Sequence, residues 1–97
     1  MEVIIIVKVK NLNGTSNRRP PYGYVSWKDW WEKQKGRKFY QCSKYLCTKK
    51  AEVGAHVQKD YLYDRRWYIV PLCPACNLQS SSVTFHVKSN DLELIHK

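Results

Sequence analysis

The chain has 97 residues and a formal net charge of +9, from 17 Lys and Arg against 8 Asp and Glu. This length fits one small domain, and no apolar run reaches the roughly 20 residues that a membrane-spanning helix needs. The charge favours a polyanionic partner, so we expect nucleic acid or an acidic protein surface, and no membrane.

The N-terminal part is predicted to form a strand followed by a loop. Residues 3–10 are apolar and β-branched and then alternate with lysine, which indicates a strand that could pair edge to edge in a dimer. Residues 11–24 collect Asn, Gly, Ser and Pro, which favours a loop. The first residues include an acidic second position and no small-residue cleavage site, unlike a signal peptide, so we expect a cytoplasmic protein.

A tryptophan-rich helix is predicted over residues 26–36. Ser26 is a typical N-cap, Asp29 follows three residues later as its reciprocal cap, and Gly36 marks the end. Three tryptophans fall on one helical face: Trp27, Trp30 and Trp31. Because each can bury a large apolar area, we expect this face to belong to the core.

The remainder is predicted to consist of short strands and turns. Residues 39–59 indicate a strand, a cysteine-bearing knuckle and a second strand that ends near His56. Residues 66–73 are predicted to be extended and lead into the second cysteine pair of the segment PLCPACN (71–77). Pro74 suits the first position of a short helix. Residues 82–88 alternate like a half-buried strand, and the last seven residues favour a short strand or tail with a disordered His96.

Two close cysteine pairs, C-x4-C and C-x2-C, stand apart in the chain: Cys42, Cys47, Cys73 and Cys76. Disulfides need an oxidising compartment, and a redox C-x-x-C belongs at a helix start in a βαβ unit. In a reducing cytosol the pattern favours one structural zinc ion, held when the fold brings two tight turns together. Four thiolates add −4 and Zn(II) adds +2, which leaves a net charge of about +7.

A knuckle, a hairpin and two cysteines at a helix start make a treble-clef zinc finger. The order C-x4-C, GAHV at 54–57 and PLCPACN at 71–77 resembles the HNH endonuclease family, whose ββα-metal site is built on a treble clef. The expected fold is a small α+β domain over residues 1–97, with short β-hairpins, the tryptophan-rich helix and a short helix after the second cysteine pair. A strand, loop and helix (1–38) precede the treble-clef core (39–80), and a strand and tail (81–97) follow.

The resemblance implies catalytic positions, of which only some are kept. His56 matches the general base, and Asn77 matches a metal ligand or site residue. Ala55 stands where the family often has a metal ligand, and Tyr68 stands where it has an asparagine that orients the base. A catalytic Mg, Mn or Ni ion would therefore lack an anchor, unless a further side chain supplies it: His86, Asp60 or Asp64. His56 has two other interpretations, a structural imidazole and a spare zinc ligand.

Two hypotheses follow. In the first, the chain is a zinc-stabilised, HNH-like module that binds nucleic acid, or an acidic protein, through a basic surface. In the second, it is a metal-dependent nuclease that cleaves DNA or RNA with His56 as the base. A third, a protein that mimics or blocks a nucleic-acid enzyme, has no specific mark in the sequence. The predicted nucleic-acid contacts are Arg18, Arg19, Lys44, Lys49, Lys50, Lys59, Arg65 and Arg66.

Overall fold

The computed structural model describes residues 3–12, 14 and 18–95. Its strands are β1 (Ile6–Asn11), β2 (Val53–Lys59), β3 (Trp67–Leu72), β4 (Thr84–Lys88) and β5 (Glu93–Leu94). Its helices are α1 (Trp27–Lys35), α2 (Pro74–Asn77) and a 3-10 turn at Ser89–Asp91. The strands form one antiparallel sheet in the order β4-β1-β2-β3-β5. The described chain is thus one small domain with a mixed helix and sheet composition.

The first strand lies later in the chain than residues 3–10, where the sequence predicts it. Residues 3–5 are exposed and precede β1, which continues to Asn11. The strand reaches that far because Val9, Lys10 and Asn11 pair with β2 while residues 6–10 pair with β4. Asn11 itself pairs with Val57 of β2, so this long-range pairing overrides its loop-forming tendency. Of the predicted loop, residues 13 and 15–17 lie outside the described residues.

The caps of α1 confirm the predicted helix. The hydroxyl of Ser26 accepts a hydrogen bond from the Asp29 backbone amide at 3.0 Å. Gly36 ends the helix in the left-handed region with φ 72°, and its amide donates to the Glu32 carbonyl at 2.9 Å. Trp30 and Trp31 are buried and Trp27 is half-buried. The predicted core face is thus confirmed, with Trp27 at its edge.

Each face of the sheet carries its own apolar cluster. On one face α1 packs against β2, β3 and β5, and Ile69 meets Trp30 and Trp31. α1 approaches so closely that a Cβ on Gly54 would lie 2.8 Å from the backbone nitrogen of Lys28, which explains glycine there. The opposite face forms the larger cluster, which includes Val9, Phe85 and three of the four cysteines.

Around the first cysteine pair, the predicted strand before the knuckle is wrong. In place of the strand, the structure has a single antiparallel bridge between Gln41 and Lys50, which flank the knuckle turn. β2 runs on to Lys59, so His56 lies inside a strand and not near its end. Pairing of Lys59 with Val9 of β1 accounts for the extra length.

Most of the later elements agree with prediction. β3 and β4 lie within the predicted extended segments, and Pro74 is the first residue of α2. The final segment contains the 3-10 turn and the two-residue β5, while His96 lies outside the described residues. Among the residues described, none of the helices has the length and apolar character to cross a membrane.

Candidate metal centre and adjoining cleft

The four cysteines converge on one point on the face opposite α1. Their Sγ atoms all lie within 4.8 Å of one another. The Sγ of Cys47 is 4.0 Å from those of Cys73 and Cys76. A tetrahedral zinc ion with bonds of about 2.3 Å separates its sulfur ligands by about 3.8 Å. Because all four cysteines are free thiols, the cluster has the ligands and the spacing to hold a metal ion.

The local backbone conformation directs the two sulfur atoms of each cysteine pair towards the centre of the cluster. In the knuckle, the Cys42 amide donates to the Lys49 carbonyl at 2.8 Å and the Cys47 amide to the Lys44 carbonyl at 2.9 Å. Leu46 adopts a left-handed backbone with φ 70°, which turns the chain back just before Cys47. The second pair brackets α2, with Cys73 at the N-cap and Cys76 inside the helix. Two tight turns thus present two sulfurs each, as predicted.

The thiols differ in acidity. Burial raises the pKa of Cys42 and of Cys76, because a charged thiolate is poorly solvated there. Burial also acts to raise the pKa of Cys73, but hydrogen bonds from the Cys76 amide and the neighbouring thiols outweigh it and lower the value to about 7. A bound cation would stabilise all four thiolates and release their protons.

Asn11 is a structural residue of this centre that the sequence did not reveal. Only 3% of it is exposed. Its Nδ2 donates to the carbonyl oxygens of Cys76 at 3.0 Å, Asn77 at 3.3 Å and Gln79 at 3.2 Å. These contacts join β1 to the carboxyl end of α2, across more than 60 residues of chain. An asparagine in a loop-like segment carries no signal for such a long-range contact.

Replacing Asn11 with alanine is expected to lower the free energy of unfolding by about 1–3 kcal/mol, because buried carbonyl oxygens of α2 lose their donor. Urea unfolding of the metal-loaded protein measures the change. The exposed Asn90 offers a matched control, since Asn90→Ala is expected to change stability by less than about 0.5 kcal/mol. Equal effects of the two substitutions would contradict the role of Asn11.

His56 lies on the α1 face of the sheet between two indole rings. Its ring centroid is 4.9 Å from that of Trp27 and 6.2 Å from that of Trp67, both edge-on. Its Nε2 is buried without a hydrogen-bond partner among the described residues. Burial, and secondarily the charge of Arg18, lowers the pKa of His56 to about 4, so its imidazole is neutral at pH 7.

A cleft of about 520 Å³ opens beside His56, beyond the end of β1, and Asn77 also lines it. The structure therefore brings the two predicted catalytic residues to one cavity, together with Arg18, Lys28 and Glu52. Among the described residues, the four cysteines are the one group of three or more His, Cys, Asp or Glu side chains that converges, and no such group lies in the cleft.

The other positions raised by the HNH resemblance lie away from the His56 side chain. Ala55 and Tyr68 are buried in the cysteine-side cluster, on the opposite face of the sheet, and the Tyr68 hydroxyl donates to Asp64 at 2.6 Å. His86 is exposed on β4, two strands from β2. Asp60 is four residues beyond His56, about 13 Å along an extended chain. None of them completes a ligand set around His56.

The predicted nucleic-acid contacts occupy three places: the knuckle, the β2–β3 hairpin and the loop before α1. In the hairpin, Lys59 and Arg66 lie 3.4 Å and 3.1 Å from the Asp64 carboxylate, so part of their charge is neutralised. In the loop, the guanidinium of Arg18 lies 4.6 Å from the Trp67 ring centroid. The remaining predicted cations form no ion pair with a described acid: Arg19, Lys44, Lys49, Lys50 and Arg65.

The HNH resemblance depends on the residues quoted for it and stays a prediction. Comparison of the chain with protein-family models, with curated proteins and with solved structures found no match.

Proposed function

We propose that the chain is a zinc-stabilised, treble-clef module of HNH-like type that binds nucleic acid through its basic surface. The observation that carries this proposal is the distribution of charge. Five of the seven described acids form ion pairs with six cations. The other ten described cations form no ion pair with a described acid: Lys8, Lys10, Arg18, Arg19, Lys28, Lys44, Lys49, Lys50, Arg65 and Lys88.

Zinc suits the four-cysteine cluster best among the common metals. Four soft thiolates at tetrahedral spacing select zinc over hard cations such as Mg²⁺ or Ca²⁺, which prefer oxygen ligands. With four protein ligands the coordination shell is closed, so this ion stabilises the fold and has no position left for a substrate. The knuckle, the β2–β3 hairpin and α2 follow in the order of a treble clef.

A binding role fits the cleft better than catalysis does. A nuclease of this type needs a cation beside its general base, and the described cleft offers Glu52 as its single carboxylate. His56 is neutral and lies edge-on to two tryptophans. With a pKa near 4, its imidazole is a weak proton acceptor at neutral pH.

Fluorescence anisotropy with labelled DNA and RNA, measured over a range of salt concentrations, tests the proposal. Phosphate contacts release counterions, so log affinity should fall with log salt by about 0.9 per neutralised phosphate on duplex DNA and about 0.7 on single strands. We expect a steep decline that reflects several contacts. No binding at low salt would refute the proposal, and so would a flat salt response, which fits an acidic protein partner instead.

The nuclease alternative keeps one observation in its favour, because His56 and Asn77 line the same cleft as Arg18 and Lys28. Incubation of the zinc-loaded protein with plasmid DNA and structured RNA in Mg²⁺, Mn²⁺ or Ni²⁺ tests this alternative. Metal-dependent cleavage that is lost in a folded His56→Ala variant would establish it. Binding without cleavage under the same conditions would support the binding module.

A further inference from the structure

Among the described residues, α1 covers only part of the sheet face against which it packs. α1 contacts β2, β3 and β5, whereas the same face of β1 and β4 carries exposed side chains such as Lys8 and His86. Lys10 shares this face, because it lies opposite Gln58 in the register while its neighbours Val9 and Asn11 are buried on the other side. We call this area the open sheet face.

The open sheet face is strongly basic. Lys8 and Lys10 of β1 lie on this face on either side of the buried Val9, and His86 of β4 is directly opposite Lys8. Lys88 of β4 lies opposite Ile6 and adds a further cation to the same face. None of the three lysines forms an ion pair with a described acid. Two of the three lysines of α1 are paired with acids, Lys33 with Asp29 and Lys35 with Glu93, so less uncompensated charge lies on the helix than on the open sheet face.

Two shallow depressions extend the open sheet face towards aromatic side chains, and they share Lys10 and Gln58 in their walls. The first, of about 440 Å³, reaches Trp67 and Arg18, whose guanidinium covers the indole ring. The second, of about 230 Å³, reaches Tyr61 and Arg65 at the tip of the β2–β3 hairpin. Asp60 also lines the second depression, together with the cations Lys59 and Arg65. The two form a continuous track across β1, β2 and β3.

The hairpin tip presents two exposed aromatic rings. Tyr61 is 60% exposed and Tyr63 is 83% exposed, and their ring centroids lie 5.6 Å apart. Neither ring contributes to the two apolar clusters of the fold. Exposed aromatic rings beside a basic track are the arrangement on which the bases of an unpaired strand stack, while the cations hold the phosphates.

We propose that the open sheet face and the Tyr61 and Tyr63 hairpin tip bind single-stranded nucleic acid. This inference rests on the proposed function and names its substrate class. A duplex keeps its base faces stacked on one another and unavailable to tyrosine rings, whereas an unpaired strand exposes them. Phosphates and base faces are common to DNA and RNA, so the same surface serves either backbone.

The test compares labelled 15-nucleotide thymidine and uridine strands with a 15-base-pair DNA duplex, by anisotropy at fixed salt. The wild-type protein should bind the strands more tightly than the duplex. Tyr61→Ala with Tyr63→Ala should weaken strand binding by about tenfold or more and leave duplex binding unchanged, because only stacking is removed. Lys8→Gln with Lys10→Gln should weaken strand binding and reduce the salt slope by about 1.4, for two lost phosphates.

A charge-matched control is available at the end of α1 and just beyond it. Lys33→Gln with Lys38→Gln removes the same two charges from exposed positions outside the track, and should bind as the wild type does. Metal content and thermal unfolding of each variant verify that it is folded. Comparing the two strands shows whether the 2′-hydroxyl affects affinity.

Several results would overturn the inference and leave the proposed function standing. The first is equal affinity for strand and duplex, and the second is unchanged strand binding in the double tyrosine variant. The third is a larger loss of strand affinity from Lys49→Gln with Lys50→Gln in the knuckle than from Lys8→Gln with Lys10→Gln. If the wild-type protein binds none of the three nucleic acids at low salt, the proposed function itself fails.

Discussion

Removal of the metal from the four-cysteine cluster is expected to unfold the protein. Cys42, Cys73 and Cys76 belong to the larger apolar cluster, so the ion would be tied to the same side chains that pack against Val9 and Phe85. Binding of structural zinc contributes about 10–16 kcal/mol at pH 7, whereas a domain has about 5–15 kcal/mol of net stability. Without the ion, little or no net stability would remain.

Cys73→Ser removes one ligand and tests the same dependence. We expect loss of bound zinc and of the cooperative thermal transition, measured by metal analysis and circular dichroism under reducing conditions. A chelator should produce the same loss in the wild-type protein, and added Zn²⁺ should restore the fold only in the wild type. A stable fold in the chelated, fully reduced protein would exclude a structural metal.

Local signals allowed the helix to be predicted closely. The cap residues Ser26 and Gly36 each form a hydrogen bond with a residue three or four positions away, so the adjacent sequence is enough to predict them. The same is true of Pro74 at the start of α2. The convergence of the cysteines could also be predicted, because each close pair fits one tight turn and a single ion needs both pairs.

Non-local contacts decided the rest. β1 extends to Asn11 because Asn11 pairs with Val57 of β2, about half the chain away. His56 lies inside a strand because β2 pairs with β1 and β3, and the Trp27 ring of α1 lies edge-on to its imidazole. Neither GAHV nor the tryptophan pattern reveals these contacts. The basic track likewise depends on strand order, since Lys10 of β1 meets Gln58 and Trp67 only in the folded sheet. A single sequence gives no strand order.

Trp31 is the side chain through which α1 holds the C-terminal segment. It is fully buried, and its Nε1 donates to the Asp91 carbonyl at 2.8 Å. The guanidinium of Arg37 lies 4.7 Å from the Trp31 ring centroid and 2.6 Å from the Asp91 carboxylate. Lys35 adds a hydrogen bond to the Leu92 carbonyl at 2.8 Å. The 3-10 turn and β5 are therefore fixed to the helix around one indole.

Trp31→Ala is expected to lower the free energy of unfolding by about 3–5 kcal/mol, because it leaves a large cavity beneath α1 and an unpaired Asp91 carbonyl. Urea unfolding of the metal-loaded protein measures the loss. Trp31→Phe keeps most of the ring but removes the donor, so a smaller loss separates packing from the hydrogen bond. Equal losses in the two variants would mean that the hydrogen bond to Asp91 dominates. Metal content should stay unchanged in both, since Trp31 and the cysteines lie on opposite faces of the sheet.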